Sequence, residues 1–461
     1  MTSDSELNSP EASVELREAL WRLLALIKEA SLKEALLLRI ETEAPSLSGL
    51  EWLASLSESS RYYWRDRRAV IEMAGVGEAD ILDSHEGADM EEVLRQLTAH
   101  LHASGEGVRY YGGFRFHADT TRPGPWMEFQ AHRFIVPLLE YFRSARGSFL
   151  AVTLKSEAER EGAMALITRI LNTPPRTVEP LPSFTHCRDI PDLCVWKQQI
   201  EDALQAFEKG PLTKVVLARE SSFQASAPID PLALLQKLSG QAPDTTLFCF
   251  QPVPTRAFLG ASPERLYCRA GLRFQTEALA GTRPRGPDEE EDTKLAEELL
   301  NSDKEQREHA IVVDSLLSSL DRFTSEVQYP GAAVIRKLGY CQHLHTPITA
   351  LLREGVSDYA LLRKLHPTPA VGGHPQKEAV RYILETETFE RGIFAAPVGW
   401  LARDSADFCV GIRSAAVLED RLSLYAGAGI VPHSNAEEEW AELDAKMRQF
   451  LKIMESPSHG I

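Results

Sequence analysis

The chain has 461 residues, with 50 Lys and Arg against 67 Asp and Glu, a formal net charge of −17 at pH 7. With 43% hydrophobic and 25% charged residues it has the composition of a globular protein with a large core, which excludes disordered and fibrous chains. An acidic balance without a basic block excludes nucleic-acid binding through counterion release.

The apolar run Leu20 to Ile27 is broken by Arg22 and ends at Lys28, well short of the ~20 residues a membrane span needs. Met1 to Ser13 carry Asp4, Glu6 and Glu11 where a signal peptide carries Lys or Arg. The six cysteines (Cys187, Cys194, Cys249, Cys268, Cys341, Cys409) form no CxxC. The expectation is therefore reduced thiols in a cytoplasmic protein, with no disulfide framework and no zinc site.

In chain order, residues 13 to 37 carry Leu16, Ala19, Leu20, Leu23, Leu24 and Ile27 at helical spacing. Leu36 to Ile40 and Arg68 to Met73 read as short strands. The aromatics and paired glycines from Tyr110 to Phe134 read as strands whose backbones approach closely. Pro174 to Pro191 is the best linker candidate. A helix is predicted over Val195 to Phe207, then strands at Lys214 to Arg219, Leu247 to Gln251, Ala257 to Leu259, Leu266 to Arg269 and Leu272 to Gln275. Helices follow at Thr293 to Leu300, Lys304 to Leu320 and Glu438 to Met454, with a hairpin of Gly411 to Leu418 and Leu422 to Ala426 before the last. Strands in runs, then helices, then strands again predict an α+β body rather than a doubly wound one.

Glu305 and Glu308 share one helical face, as do Glu439 and Glu442. Such pairs are most often solvated surface. Gly427-Ala428-Gly429 just before the second helix opens the alternative of exposed amides beside carboxylates that hold a hard cation such as Mg²⁺. Lys214 heads an apolar strand, where lysines usually snorkel to water, but a desolvated one can act as a base. Glu264 lies in a turn between strands. Gly281 to Gly286 could be an anion loop, yet it lacks the Lys-Ser/Thr ending of a P-loop, and the later glycines lack a dinucleotide fingerprint. His343, His345, His366 and His374 have no zinc spacing, so a core or rim role is expected.

Read together, the segments LTKVVLAR (212 to 219), LGASPERL (259 to 266), ALAGTRPRG (278 to 286), KEQREHAIVVD (304 to 314), QHLHTP (342 to 347), LHPTPAVGGHP (365 to 375), FERGIFAAPVGW (389 to 400), IRSA (412 to 415) and YAGAGIVPHSNAEEEWAELDAK (425 to 446) closely resemble the chorismate-utilising enzymes. YGGFRF (111 to 116) and WMEF (126 to 129) resemble the upstream half of the isochorismate synthases in that family; residues 1 to 40 carry no match. The resemblance implies two packed antiparallel sheets surrounded by helices in a single large body, residues 1–190 forming an N-terminal α/β region of that body and 191–461 the chorismate-binding catalytic region.

The resemblance also assigns roles. Members that add ammonia to chorismate have Gln at the position of Lys214, whereas lysine matches those that add water. Ala280 stands where aminodeoxychorismate synthases carry a nucleophilic lysine. Neutral Lys214 would deprotonate water attacking C2 while Glu264 protonates the departing C4 hydroxyl, giving isochorismate. Glu308 and Glu442 would be the principal Mg²⁺ ligands, with Glu305 and Glu439 supporting through water and Mg²⁺ on the ring carboxylate. Arg413, the amides of Gly427, Ala428 and Gly429, and Lys446 would hold the pyruvyl carboxylate, and Gly281, Thr282 and His343 would line the site. Salicylate synthases share this set but carry Tyr at the position of Phe394 and Arg at that of Tyr425, so isochorismate synthase is favoured over a salicylate synthase that goes on to eliminate pyruvate. A noncatalytic chorismate-binding subunit would have lost one of Lys214, Glu264, Glu308 or Glu442. No amidotransferase subunit is expected, and whether the product feeds menaquinone, siderophore or salicylate synthesis depends on neighbouring enzymes.

Overall fold

The structure, a computed structural model, describes residues 10–32, 35–58, 60–84, 90–118, 124–339 and 341–455; Asp4 and Glu6 of the acidic N-terminus lie outside them. Among the described residues are eleven α-helices and twenty strands, the strands all paired antiparallel in one continuous ladder. From one edge the pairing runs Phe184–Ile190, Lys214–Ala225, Arg421–Ile430, Ser414–Leu418, Arg256–Ser262, Thr246–Val253, Arg61–Arg65, Glu72–Ser84 and His132–Ser144.

The ladder forks at the long strand His132–Ser144. Its C-terminal half pairs with Gly147–Leu154 and, beyond that, Leu38–Glu43. Its N-terminal half pairs with Arg109–Phe114, which leads through Pro397–Ala402, Ser405–Val410, Arg265–Ala270 and Arg273–Pro284 to Cys341–Leu352. The last strand carries Thr324–Gln328 and Val334–Lys337 along its outer edge. The result is two antiparallel sheets joined at one strand, with helices over them, in a single α+β body.

The chain passes between the sheets twice where it matters for the site. Arg256–Ser262 belongs to the first sheet and Arg265–Ala270 to the second, and Pro263-Glu264 makes the crossing. Proline has no N–H to continue a ladder, so the strand ends there. The return crossing, from Ser405–Val410 to Ser414–Leu418, runs through Gly411, Ile412 and Arg413. The two crossings are tied together: Val410 N donates to Glu264 O at 3.1 Å, Ala261 N to Arg413 O at 3.0 Å and Ser262 Oγ to Val410 O at 2.6 Å.

Several sequence expectations are corrected here. Arg68 to Met73 is not one strand, because Ala69 adopts φ +53 in a turn and the strand begins at Glu72. The proline-rich stretch is not all linker, since its second part is the strand Phe184–Ile190 on the first sheet. Gly281 to Gly286 is no anion loop; the strand Arg273–Pro284 runs through it, with a register shift at Gly281. Gly427-Ala428-Gly429 is the end of a strand paired with Val216 to Ala218, so its peptides are partly consumed by the ladder. That strand's other neighbour, Ser414–Leu418, stops at Tyr425, which leaves the opposite edge of the glycine segment uncovered.

Candidate active site

Two helices close the end of the body where the crossings lie. Asp303–Leu320 starts at Ser302, whose hydroxyl accepts from Glu305 N at 3.4 Å, the first half of a capping box. Its buried stripe Glu305, His309, Val312, Leu316 and Leu320 lies on the second sheet, and one turn after Glu305 the carboxylate of Glu308 faces the first. Ala436–Glu455 buries Glu439, Leu443, Met447, Phe450 and Ile453 and turns Glu442 and Lys446 toward the same space.

Between these helices and the two crossings is a cleft partly open to solvent. Its walls include Glu264, Gly281, Thr282, Glu305, Glu308, His343, Arg413, Gly427, Gly429, Glu442 and Lys446. The structure thus brings together most of the residues singled out in sequence. Ala428 is the exception within the glycine segment, because strand alternation turns it into the core with no exposure. Glu439 is buried behind the wall and Lys214, with no exposed surface, lies just beneath it.

Each of the four helix glutamates has a cation on it. Lys214 Nζ donates to Glu308 Oε1 at 2.7 Å, Arg283 Nη1 to Glu305 Oε1 at 2.8 Å, Lys304 Nζ to Glu439 Oε1 at 3.2 Å and Lys446 Nζ to Glu442 Oε1 at 2.5 Å. The Glu439 carboxyl is raised by burial and then by the neighbouring charge of Glu442. Among the described residues no three acidic, His or Cys side chains converge into a ready cage. The donor chemistry nevertheless fits a hard divalent cation, since Glu308 and Glu442 enter one cleft from two helices and Mg²⁺ takes only one or two protein carboxylates, with water filling the rest.

Glu264 is the most perturbed acid in the cleft. Burial, and after it the charge of Glu277, pushes its carboxyl up to about 8 against the opposing hydrogen bond from Thr368 and the charges of Lys214 and Lys446. Thr368 Oγ1 donates to its Oε1 at 3.3 Å. On the return crossing Arg413 holds φ +51 and reaches Cys341 Sγ at 3.6 Å. His343 Nε2 lies 3.2 Å from the same sulfur and its Nδ1 3.0 Å from Gly281 O. Gly281 adopts φ +76, and a Cβ there would come within 3.0 Å of Glu305 Oε2, so both conformation and space ask for glycine.

Phe394 and Tyr425 stack at 5.4 Å and 24° on the cleft wall, and Trp126 packs on Tyr425 from behind at 5.7 Å. His345 stays out of the cleft and is bound to Glu277 at 2.9 Å. His366 is buried against Phe116, and His374 pairs with Lys214 in the ladder. Sequence reasoning missed Thr368, Cys341 and Arg391. Arg391 lines the cleft but spends its guanidinium on Glu387 and on the carbonyls of Val371 and Val216, which makes it a fixture of the wall. Its signal was present in FERGIF, where Glu390 and Arg391 are an adjacent charged pair among apolar residues.

The sequence profile of the chorismate binding enzymes matches residues 22–455. The chain belongs to the chorismate-binding enzyme family. It is 34% identical over 402 residues to the chloroplastic isochorismate synthase of Catharanthus roseus, spanning 84% of this chain and 69% of that enzyme. It is 32% identical over 456 residues to the isochorismate synthase MenF of Bacillus subtilis, spanning 94% and 96%. Its structure superposes with a TM-score of 0.82 on that of MenF, the menaquinone-specific isochorismate synthase of Escherichia coli, at 29% identity over 96% of this chain and 100% of the other.

Proposed function

We propose that this chain is an isochorismate synthase, adding water at C2 of chorismate and expelling the C4 hydroxyl. The observation that carries this reading is Glu264. A carboxyl that keeps its proton up to about pH 8 is a general acid at neutral pH, and it stands on the cleft wall where it can donate to a leaving hydroxyl. Lys214 is the partner base. Acting as a base it must be the neutral amine, whose lone pair takes the proton from water while an N–H still donates to Glu308.

Arg413, Lys446 and the open edge of Gly427 and Gly429 form the cationic and amide wall suited to a carboxylate, and Lys446 Nζ is fixed there by Gly427 O at 2.8 Å. Gly281, Thr282 and His343 form the facing wall, with Thr282 Oγ1 3.2 Å from His343 Nδ1. Glu308 and Glu442 would hold Mg²⁺, with Glu305 and Glu439 behind them. When bound, the ion supplies a positive site for the ring carboxylate in a protein of net charge −17. Phe394 and Tyr425 give this part of the wall an apolar ring and a phenol, a lining less polar than the tyrosine and arginine that salicylate synthases carry there, which favours stopping at isochorismate over going on to salicylate.

Because water and not ammonia is the nucleophile, we read the chain as acting without an amidotransferase subunit. All six cysteines are unpaired, which suits a reducing compartment such as the cytosol; no helix among the described residues is long and apolar enough to cross a membrane. The test is turnover of chorismate by Lys214→Ala and Glu264→Gln, each checked for folding by circular dichroism. Both should lose turnover, and near-wild-type rates in either would remove that residue from the mechanism.

A further inference from the structure

Glu277 has no surface on the cleft and no part in the reaction as proposed, yet it is only 3% exposed and is enclosed by two arginines and a histidine. Arg67 Nη1 lies 2.7 Å from both of its oxygens, Arg336 Nη1 3.2 Å from Oε1 and His345 Nε2 2.9 Å from Oε2. Removing a carboxylate from water is costly, and such a group persists only where partners of this kind compensate. Burial works to raise its carboxyl, but His345, Arg67 and Arg336 hold it well below the usual carboxylate range, so it is an anion at any pH the protein meets.

What this buried anion grips is the backbone that carries Glu264. Its Oε1 accepts from Arg265 N at 2.9 Å, immediately after Glu264. Arg336, bound to that same oxygen, donates from Nη1 to Pro263 O at 3.0 Å, immediately before Glu264, and from Nη2 to Asp244 O at 2.8 Å. The crossing between the sheets is thus clamped on both sides of the acid by one ion pair anchored in Arg273–Pro284 and Val334–Lys337. A crossing made by Pro263-Glu264 has no ladder of its own, so these two hydrogen bonds, with Val410 N on Glu264 O and Glu264 N on Ser262 Oγ, fix the backbone from which the carboxyl extends to Thr368.

We propose that the Glu277–Arg336 pair is the positioning element of the general acid: together the two hold the Glu264 backbone in place on both sides, and the negative charge of Glu277 favours the protonated carboxyl until the C4 hydroxyl departs. This rests on the reading of Glu264 as the acid. The charged and titratable groups around Glu264 are Glu277 and, at the adjoining Pro263 carbonyl, Arg336 from the second sheet, Lys214 from the first, Lys446 from the helix Ala436–Glu455, and Cys409 on the return crossing strand. Of these Glu277 alone is a fixed anion, and it opposes the two lysines. The clamp is therefore electrostatic as well as mechanical, and the two members of the pair act with opposite sign.

The experiment is the pH profile of kcat for chorismate turnover in wild type, Glu277→Gln, Arg336→Gln and Glu264→Gln. Glutamine at 277 can still accept from Arg265 N but carries no charge, so the alkaline limb should move to lower pH by on the order of one unit. Glutamine at 336 removes a cation, so the limb should move to higher pH by a similar amount. In both variants kcat should fall more than KM changes, since neither residue touches substrate. A purely structural role would lower both rates without moving the limb in opposite directions. If Glu277→Gln fails to fold because it strands Arg67 and Arg336, Arg336→Gln decides alone, because Arg67 and His345 still hold Glu277 there. Unmoved limbs, with Glu264→Gln inactive, would overturn the proposal and leave the acid in place. Full turnover by Glu264→Gln would overturn the acid, and the clamp's role with it.

Discussion

Glu264→Gln exchanges the carboxyl for a neutral group of the same shape, so the variant loses its proton donor and also a carboxyl that ionises far more easily unfolded than folded. In the folded chain the group lies at about 8 against an ordinary 4.5, mainly through burial. A group raised on folding contributes its full stability below the unfolded value and loses it as pH rises to the folded one. The interval from 4.5 to about 8 corresponds to about 5 kcal/mol by pH 8, at about 1.36 kcal/mol per pH unit. The amide takes part of this back, because its hydrogens need acceptors in a site that offers Thr368, a cost of about 1–3 kcal/mol. The net expectation is a variant about 2–4 kcal/mol more stable than wild type at pH 8 and slightly less stable at pH 5. For 461 residues at about 2.1 cal/mol/K per residue, each kcal/mol moves Tm by about 1 °C. Scanning calorimetry of both proteins from pH 5 to 8 reads this as a Tm difference that changes sign, while turnover falls by about 10²–10⁴. A Tm difference that is the same at pH 5 and pH 8 would refute a neutral buried Glu264.

Lys214→Gln should lose water addition, and with ammonium present should give traces of an aminated product by mass spectrometry; none at all would sink the argument that the lysine selects the nucleophile. Gly429→Ala places a Cβ 2.7 Å from Glu308 Oε1 and 3.2 Å from Lys214 Cε, so kcat should fall about 10²-fold with the circular dichroism spectrum unchanged. Burial raises the Cys341 thiol, but His343 and Arg413 outweigh it and bring it down to about 6. Iodoacetamide at pH 7 should therefore label Cys341 and inactivate the enzyme by displacing Arg413, chorismate should slow the labelling, and Cys341→Ser should resist it; equal labelling with and without substrate would contradict the geometry.

The helices over Asp303–Leu320 and Ala436–Glu455 were legible because their apolar stripes repeat at helical spacing, and with them the facing of Glu305, Glu308, Glu439 and Glu442. What did not follow from spacing is that each glutamate meets a basic side chain, since Lys214 reaches Glu308 and Lys304 reaches Glu439 across long stretches of chain. Glu264 was visible as a turn residue, but not as a crossing between two sheets, because pairing partners are set by tertiary contacts and the local pattern continues on both sides of Pro263. The glycine segment was read only for its exposed amides; that some of its peptide groups pair in the ladder depends on the distant strand Lys214–Ala225, which spacing within the segment does not reveal. Glu277 stood unnoticed in FQTEALAGT because the groups that define it, Arg67 and Arg336, lie 210 and 59 residues away.

The central claim is tested by incubating the purified chain with chorismate, once with Mg²⁺ and once with EDTA, and identifying products by chromatography and mass. Isochorismate that forms only with Mg²⁺ and accumulates without release of pyruvate is the predicted result. Salicylate and pyruvate in equal amounts, or isochorismate formed equally well in EDTA, would contradict it.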